Sequence, residues 1–303
     1  MLKQQRIVIT GGGGFIGSFL TEKLVRRGFK NIVVMDKNPR PQIGVHYVKC
    51  DVFTDQAILR EQIRARDVII HLACSTTPGL SETNYVKDAE ENIVGTLKLL
   101  EICKNKKIKK FIFASSGGTI YGNRYGACKE SDEIHPINFY GTIKLVIEEY
   151  LYVHKHLYDI PYVIARISNP YCRKTLDRKK LGAIDTFLHQ AIKGKPIFIW
   201  GDGENVRDYV HIDDVTDFFL LAIEKKSLQG IYNVGTGKGT TLNQILSLIG
   251  DILGYDLKPK YKPAREVDVR FNVLNIQKVK KEGWQPKYTL SKGLRVLYQK
   301  LNS

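Results

Sequence analysis

Near the start of the chain, residues 6–28 read RIVITGGGGFIGSFLTEKLVRRG. Arg6-Ile7-Val8-Ile9-Thr10 is a β-branched run of the kind that fills a buried strand. Four glycines follow. Phe15, Phe19, Leu20, Leu24 and Val25 then recur at helical spacing, and Gly28 is a stop signal. Gly12, Gly14 and Gly17 satisfy GxGxxG, while Gly11, Gly14 and Gly17 satisfy GxxGxxG. A glycine fingerprint alone is weak, but this one stands between a strand and a helix. There the glycines let the backbone turn tightly and approach a pyrophosphate. The helix N-terminus supplies N–H groups and partial positive charge.

Further strands are predicted at 31–36, 45–51, 67–73 and 111–113, with a helix over 84–104 carrying Ile93, Leu97, Leu100 and Ile102. Strands alternating with helices imply right-handed crossovers and a parallel sheet. The expected class is α/β, a Rossmann-type doubly wound parallel sheet. Beyond residue 166 the pattern loosens, with Pro196, Pro259, Pro263 and Pro286. That part reads as a smaller, partly interleaved C-terminal substrate-binding region. The expected division is 1–165 for the dinucleotide domain, with 205–235 returning to it, and 166–204 with 236–303 for the other.

Asp36 ends the second strand, nineteen residues after Gly17. An acid there can bond both hydroxyls of an adenine ribose and repel a 2′-phosphate, which favours NAD over NADP. Lys37 and Arg40 pull the other way, and a plain turn residue is the alternative. Asp51-Val52 ends the third strand and could flank the adenine; Asp51 could equally cap a helix.

The chain has 303 residues, 43% hydrophobic and 26% charged, ordinary for a globular protein. Five scattered cysteines with no CxxC pair indicate neither a disulfide framework nor a metal site. No apolar run approaches the ~20 residues that span a bilayer, and the glycines interrupt any signal-peptide core. A soluble, cytoplasmic protein is expected. The net charge of +16 is unusual, with lysine-rich runs at 104–110, 173–180 and 278–281. The runs are dispersed and lack interleaved aromatics, so they read as solvated faces rather than a nucleic-acid footprint. Weak contact with an anionic membrane surface stays open, without insertion.

ASSGGTIYG, residues 114–122, follows the apolar run FIF. Ligands sit at the C-terminal ends of such strands, where Ser115 and Ser116 fall. Twenty-four residues past Ser116 comes Tyr140, and Lys144 lies four further on, on the same helix face. An ammonium beside a phenol favours phenolate, which can take a proton from an alcohol as a hydride leaves for a nicotinamide. A surface pair is the bland alternative for YxxxK.

Taken in order, TGGGGFIG, Asp36, CDV, HLAC, NIVGT, SSGGTIYG, YGTIK, RISNPYCR, WGDGENVRDYVHIDDV, YNVGTG and GW-P cover nearly the whole chain. In this set the sequence resembles the extended short-chain dehydrogenases/reductases of the NAD-dependent epimerase/dehydratase type. The resemblance implies Tyr140, Lys144 and Ser116 as catalytic residues. It implies cofactor contacts from Gly11, Gly14, Phe15, Ile16, Gly17, Asp36, Lys37, Asp51, Val52, Leu72, Ala73, Tyr140 and Lys144. It places a nucleoside-diphosphate sugar, as a UDP-hexose, against Ser116, Thr119, Asn169, Arg207 and Arg265. Arginine forks suit a diphosphate, although Arg207–Asp208 and Arg265–Asp268 could be plain ion pairs. His211 reads as structural. A homodimer through helices near 84–104 and 139–159 is also implied; their apolar residues could equally be core. Cys74 stands where alanine is usual and Cys172 where glycine is common, which puts the loop at Cys172 in question.

The family's dehydratases carry an Asp-Glu pair after the serine or threonine. Here Gly117 and Gly118 follow Ser116, with Ser115 or Thr119 as fallback hydroxyls. Missing acids argue against dehydration and leave redox chemistry at a sugar carbon. The leading expectation is a UDP-hexose 4-epimerase using NAD and accepting UDP-glucose or UDP-N-acetylglucosamine. The alternatives are a nucleotide-sugar 4-ketoreductase and a non-catalytic nucleotide-binding regulatory protein.

Overall fold

The first run becomes a fully buried strand, β1 (Ile7–Thr10). The computed structural model describes residues 2–38, 42–77, 81–173, 182–265 and 269–302. Arg40, Asp268 and nearly all of the basic run at 173–180 lie outside the described residues.

β1 pairs in parallel with β2 (Ile32–Asp36) on one side and with β4 (Val68–His71) on the other. β3 (His46–Lys49) extends the sheet beyond β2, and β5 (Lys110–Ser116) extends it beyond β4. With β7 (Tyr162–Ile167) and β11 (Gly230–Val234) the seven-stranded order is β11-β7-β5-β4-β1-β2-β3. Strand order reverses at β1, so the loop after β1 opens at a topological switch point. Helices α1 (Phe15–Arg26) and α2 (Gln56–Gln62) follow β1 and β3. Val8, Val33, Ile69, Phe111 and Ile147 form part of one buried cluster. These strands read as continuous apolar runs because both faces of a parallel sheet are covered.

The expected helix at 84–104 is not one regular helix. It runs as α3 (Tyr85–Ala89), a π-helical turn over Glu90–Val94, and α4 (Gly95–Lys106). The fifth strand is longer than Phe111–Phe113 and carries both serines.

The chain divides into two compact units. The first holds residues 1–116, 138–166 and 216–232; the second holds 117–137, 167–215 and 233–303. Strand pairing explains why 205–215 joins the second unit, against the expected boundaries. There β10 (Val206–His211) pairs in parallel with β8 (Asn169–Tyr171) and β14 (Phe271–Leu274), and antiparallel with β12 (Gly239–Thr241). β6 (Ala127–Cys128) pairs with β14, which draws 117–137 into the same unit, and β9 (Phe198–Trp200) pairs in parallel with β13 (Lys260–Lys262).

Candidate active site

In the first unit the glycine loop is set by close backbone approach. Gly11 has φ +73°, and a Cβ on it would sit 2.5 Å from the Ala73 nitrogen. A Cβ on Gly17 would sit 2.5 Å from the Gly11 carbonyl oxygen. Only glycine fits there. Helix α1 has Gly14 as its N-cap, no side-chain cap bond and no acid in its first turn. Its positive end is therefore not neutralised locally, which suits a pyrophosphate.

Asp36 accepts N–H bonds from Gly13 (2.9 Å) and Asn38 (2.8 Å). A carboxylate has about four acceptor positions, so two hydroxyls can still be bonded. Lys37 lies 2.8 Å from Asp51 and is committed to that carboxylate. Asp51 accepts from the Phe53 N–H, making a local turn, and the α2 N-cap is Asp55. Leu72 donates its N–H to the Thr10 carbonyl at 3.0 Å, which brings Ala73 against the glycine loop. These residues fit a dinucleotide: Gly11, Gly14 and Gly17 would hold the pyrophosphate and Asp36 the ribose.

The YxxxK helix, α5 (Phe139–Tyr158), is capped by Asn138, which accepts from the Gly141 N–H at 2.8 Å. Lys144 is buried, and its Nζ donates to the Ala114 carbonyl at 3.0 Å. That bond ties the helix to the strand end two residues before Ser116. The ammonium lies 4.8 Å from the Phe113 ring centroid and 5.5 Å from that of Tyr140. The sequence reading expects a lowered phenol pKa, and here the structure differs. Burial pushes Tyr140 well above its ordinary value, and Cys74 and Asp88 act in the same direction. Lys144 is engaged by Ala114 and by the Phe113 face, so desolvation of the phenol prevails. His71 bonds Thr10 at 2.7 Å and Thr96 at 3.0 Å, and burial, helped by Lys144, lowers its pKa to about 3.

The two serines divide their work. Ser115 is buried and donates to Glu148, whose carboxylate also accepts from Arg166 Nη2 (2.7 Å) and Nε (3.1 Å). Ser115 is thereby removed as a fallback hydroxyl, and Ser116 faces the other side of the strand.

Sequence reasoning missed Asp88. Its buried carboxylate accepts from Thr76 at 2.6 Å, and from Ser81 and Asn92. Asn92 in turn accepts from the Ser75 N–H at 3.0 Å. The segment after HLAC is thus pinned to the π-helical turn. The i,i+4 pair Asp88/Asn92 was the available signal.

In the second unit, Gly117 donates its N–H to the Ile167 carbonyl (2.7 Å), and its own carbonyl accepts from Asn272 Nδ2 (2.9 Å). Thr119 is buried. Asn169 and Tyr209 face each other across the β8–β10 pair, and Asn169 Nδ2 donates to the Asp208 carbonyl at 2.9 Å. The Asp208 carboxylate accepts from the Thr236 N–H and hydroxyl and from the Gly237 N–H. It is a loop anchor, and Arg207 Nη1 donates to the Val206 carbonyl at 3.0 Å. The Arg265 guanidinium lies 5.2 Å from the Trp200 ring centroid. His211 is buried and stacked on Tyr288 at 3.8 Å. Cys172 has φ +82°, the left-handed region that favours glycine, so the loop keeps a glycine-like backbone despite the cysteine.

Against known proteins, the family model "NAD dependent epimerase/dehydratase family" matches residues 7–235. The chain is similar to a UDP-glucose 4-epimerase of Thermotoga maritima crystallised with UDP-glucose: 35% identity, TM-score 0.90, covering 98% of this chain and 99% of that one. It is similar to a Thermus thermophilus UDP-glucose 4-epimerase in complex with NAD: 31% identity, TM-score 0.91, covering 99% of each. It also shares 30% identity with a dTDP-4-dehydro-6-deoxyglucose reductase of Escherichia coli, over 99% of this chain and 98% of that protein. The glycine loop and the match across most of the chain agree, and the protein belongs to the NAD-dependent epimerase/dehydratase family, with NAD as its cofactor.

Proposed function

We propose that the protein is a UDP-hexose 4-epimerase. What supports this reading is Lys144, bonded to the Ala114 carbonyl two residues before Ser116 and lying 5.5 Å from the Tyr140 ring centroid, with Gly117 and Gly118 where a dehydratase needs acids. The Thermotoga and Thermus enzymes support it by substrate and cofactor. Gly11, Gly14, Gly17 and Asp36 would hold NAD, which would supply a hydride acceptor and donor for the sugar carbon. Tyr140 removes the proton of the 4-hydroxyl and later returns one. Lys144 holds the strand end and supplies positive charge beside the phenol. Ser116 bonds the same oxygen and orients it. Asn169, Arg207 and Arg265 are assigned to the nucleoside diphosphate, with Thr119 near the sugar.

We place the enzyme as a homodimer through α5 and the helices before it. Supporting this, Tyr152 and Leu157 on α5 are 62% and 60% exposed, and Val86 on α3 is exposed too. Sedimentation should give a dimer, and Leu157→Glu with Tyr152→Glu should give a monomer; an unchanged mass would remove this pairing.

Purified protein incubated with UDP-glucose or UDP-N-acetylglucosamine, without added cofactor, should yield the 4-epimer by proton NMR. No change with NAD added would sink the reading for these sugars. NADPH-dependent reduction of a 4-keto sugar nucleotide would replace it with the ketoreductase.

A further inference from the structure

The reaction uses the C-terminal edge of the seven-stranded sheet. At the opposite edge, residues 2–6, 26–31, 42–46, 63–67 and 107–110 lead into the strands. These segments hold ten lysines and arginines and one acid, Asp67. Asp67 is buried and pairs with Arg6. Glu61, two residues before the fourth segment, is the neighbouring exposed acid on α2.

The chain's first residues stitch these loops into one strip. The Lys30 N–H donates to the Lys3 carbonyl at 3.1 Å, and Asn31 Nδ2 donates to the Gln4 carbonyl at 2.8 Å. Gln5 Nε2 donates to the Arg66 carbonyl at 2.8 Å, and Lys109 Nζ donates to Gln5 Oε1 at 2.6 Å. The Arg66 N–H bonds the Lys107 carbonyl at 3.1 Å.

Helices α1, α2 and α4 end here, and one or two cations per helix end offset the negative dipole end. That does not account for Lys3 or Lys30. Among the described residues, Lys3, Arg26, Arg27, Lys30, Arg64 and Arg66 make no salt bridge. Burial lowers the Lys109 pKa, and Lys226 and Arg66 lower it further, as expected of cations crowded without acids. A cleft of about 660 Å³ opens within the strip, lined by Arg6, Lys30, His46, Gln62 and Arg64 among others. Beside it, Ile43 is 95% exposed. These segments hold one Phe, Tyr or Trp, Phe29, and it is buried. Base stacking, the usual partner of basic patches that hold single strands, is therefore missing. A cationic strip with an aliphatic side chain standing out matches the interface of an anionic bilayer.

We propose that this edge docks on anionic lipid membranes, with the cations meeting headgroup phosphates and Ile43 entering the interface.

The full chain is sedimented with phosphatidylcholine vesicles containing about 30% phosphatidylglycerol, and with phosphatidylcholine alone, at low salt. Binding is expected to the first only, weakening as salt shortens the Debye length. The double variant Lys30→Glu/Arg64→Glu should lower the partition coefficient about ten-fold or more, and Ile43→Asp should lower it too. Lys258→Glu/Lys260→Glu, in the second unit, should leave it unchanged. Thermal melts of each variant establish folding. Equal binding to both vesicle types, equal loss in the control variant, or RNA binding without vesicle binding would each overturn the proposal. The assay reads lipid binding and is independent of the reaction catalysed.

Discussion

At the scale of the residue, Tyr140 decides the chemistry. Its phenol is held neutral by burial, with Cys74 and Asp88 in support. A base in that state is scarce near pH 7, so kcat/KM should climb as pH rises through the neutral range. Lys144→Met removes the cation 5.5 Å from the phenol ring centroid and should move that limb to higher pH; an unmoved profile would remove Lys144 from the base's environment. Tyr140→Phe should lower kcat about 10²–10⁴-fold with NAD still bound, read by NMR turnover and by bound-nucleotide release. His71 is a second residue with a pH consequence. Its folded pKa is lowered by burial to about 3 from the ordinary histidine value of 6.5. Between those values the unfolded chain binds the extra proton and the folded chain does not. His71 therefore contributes to stability above pH 6.5, and this is lost on acidification at up to about 1.4 kcal/mol per pH unit. Melting temperature should fall from pH 6.5 to 4, less steeply in His71→Gln. These residues were legible as types and spacings, but the phenol's direction was not. Helical spacing shows that Lys144 can reach Tyr140, not that its ammonium spends its bonds on Ala114 and the Phe113 face.

At the scale of the element, helix α5 is fixed to β5 and β7 by a buried cluster. Ser115, Glu148 and Arg166 come from three elements, and all are nearly inaccessible. Removing one partner of a buried pair leaves an uncompensated charge, typically about 3–5 kcal/mol. Arg166→Met should lose about that much in chemical denaturation. Glu148→Leu/Arg166→Met should recover most of it, and a double-variant loss equal to the sum of the two single-variant losses would show that the pair is not coupled. The sequence displayed the strands that share a parallel sheet, because apolar runs of β-branched residues have few other uses. It did not display the π-helical turn at Glu90–Val94, which inserts a residue into a pattern that still reads as helical. Its partner network through Asp88 depends on contacts between segments.

At the scale of the molecule, the glycine loop and the strand order made the α/β architecture legible. The interleaving was read less well. The stretch 205–235 is expected from the sequence to return to the dinucleotide domain, yet Val206–His211 within it pairs with β8, β12 and β14. Pairing partners are set by tertiary context, which a β-rich hexamer does not encode by itself. The net charge of +16 was visible from the start. That much of it gathers at one sheet edge needed the loops between strands to be placed. The central claim is that hydride leaves C4 of the sugar and returns to the same carbon. It is tested most directly with UDP-glucose deuterated at C4, incubated with the purified protein and followed by NMR and mass spectrometry. The account predicts the 4-epimer with deuterium kept at C4. An epimer that has exchanged the label with solvent, or a 6-deoxy product, would contradict it.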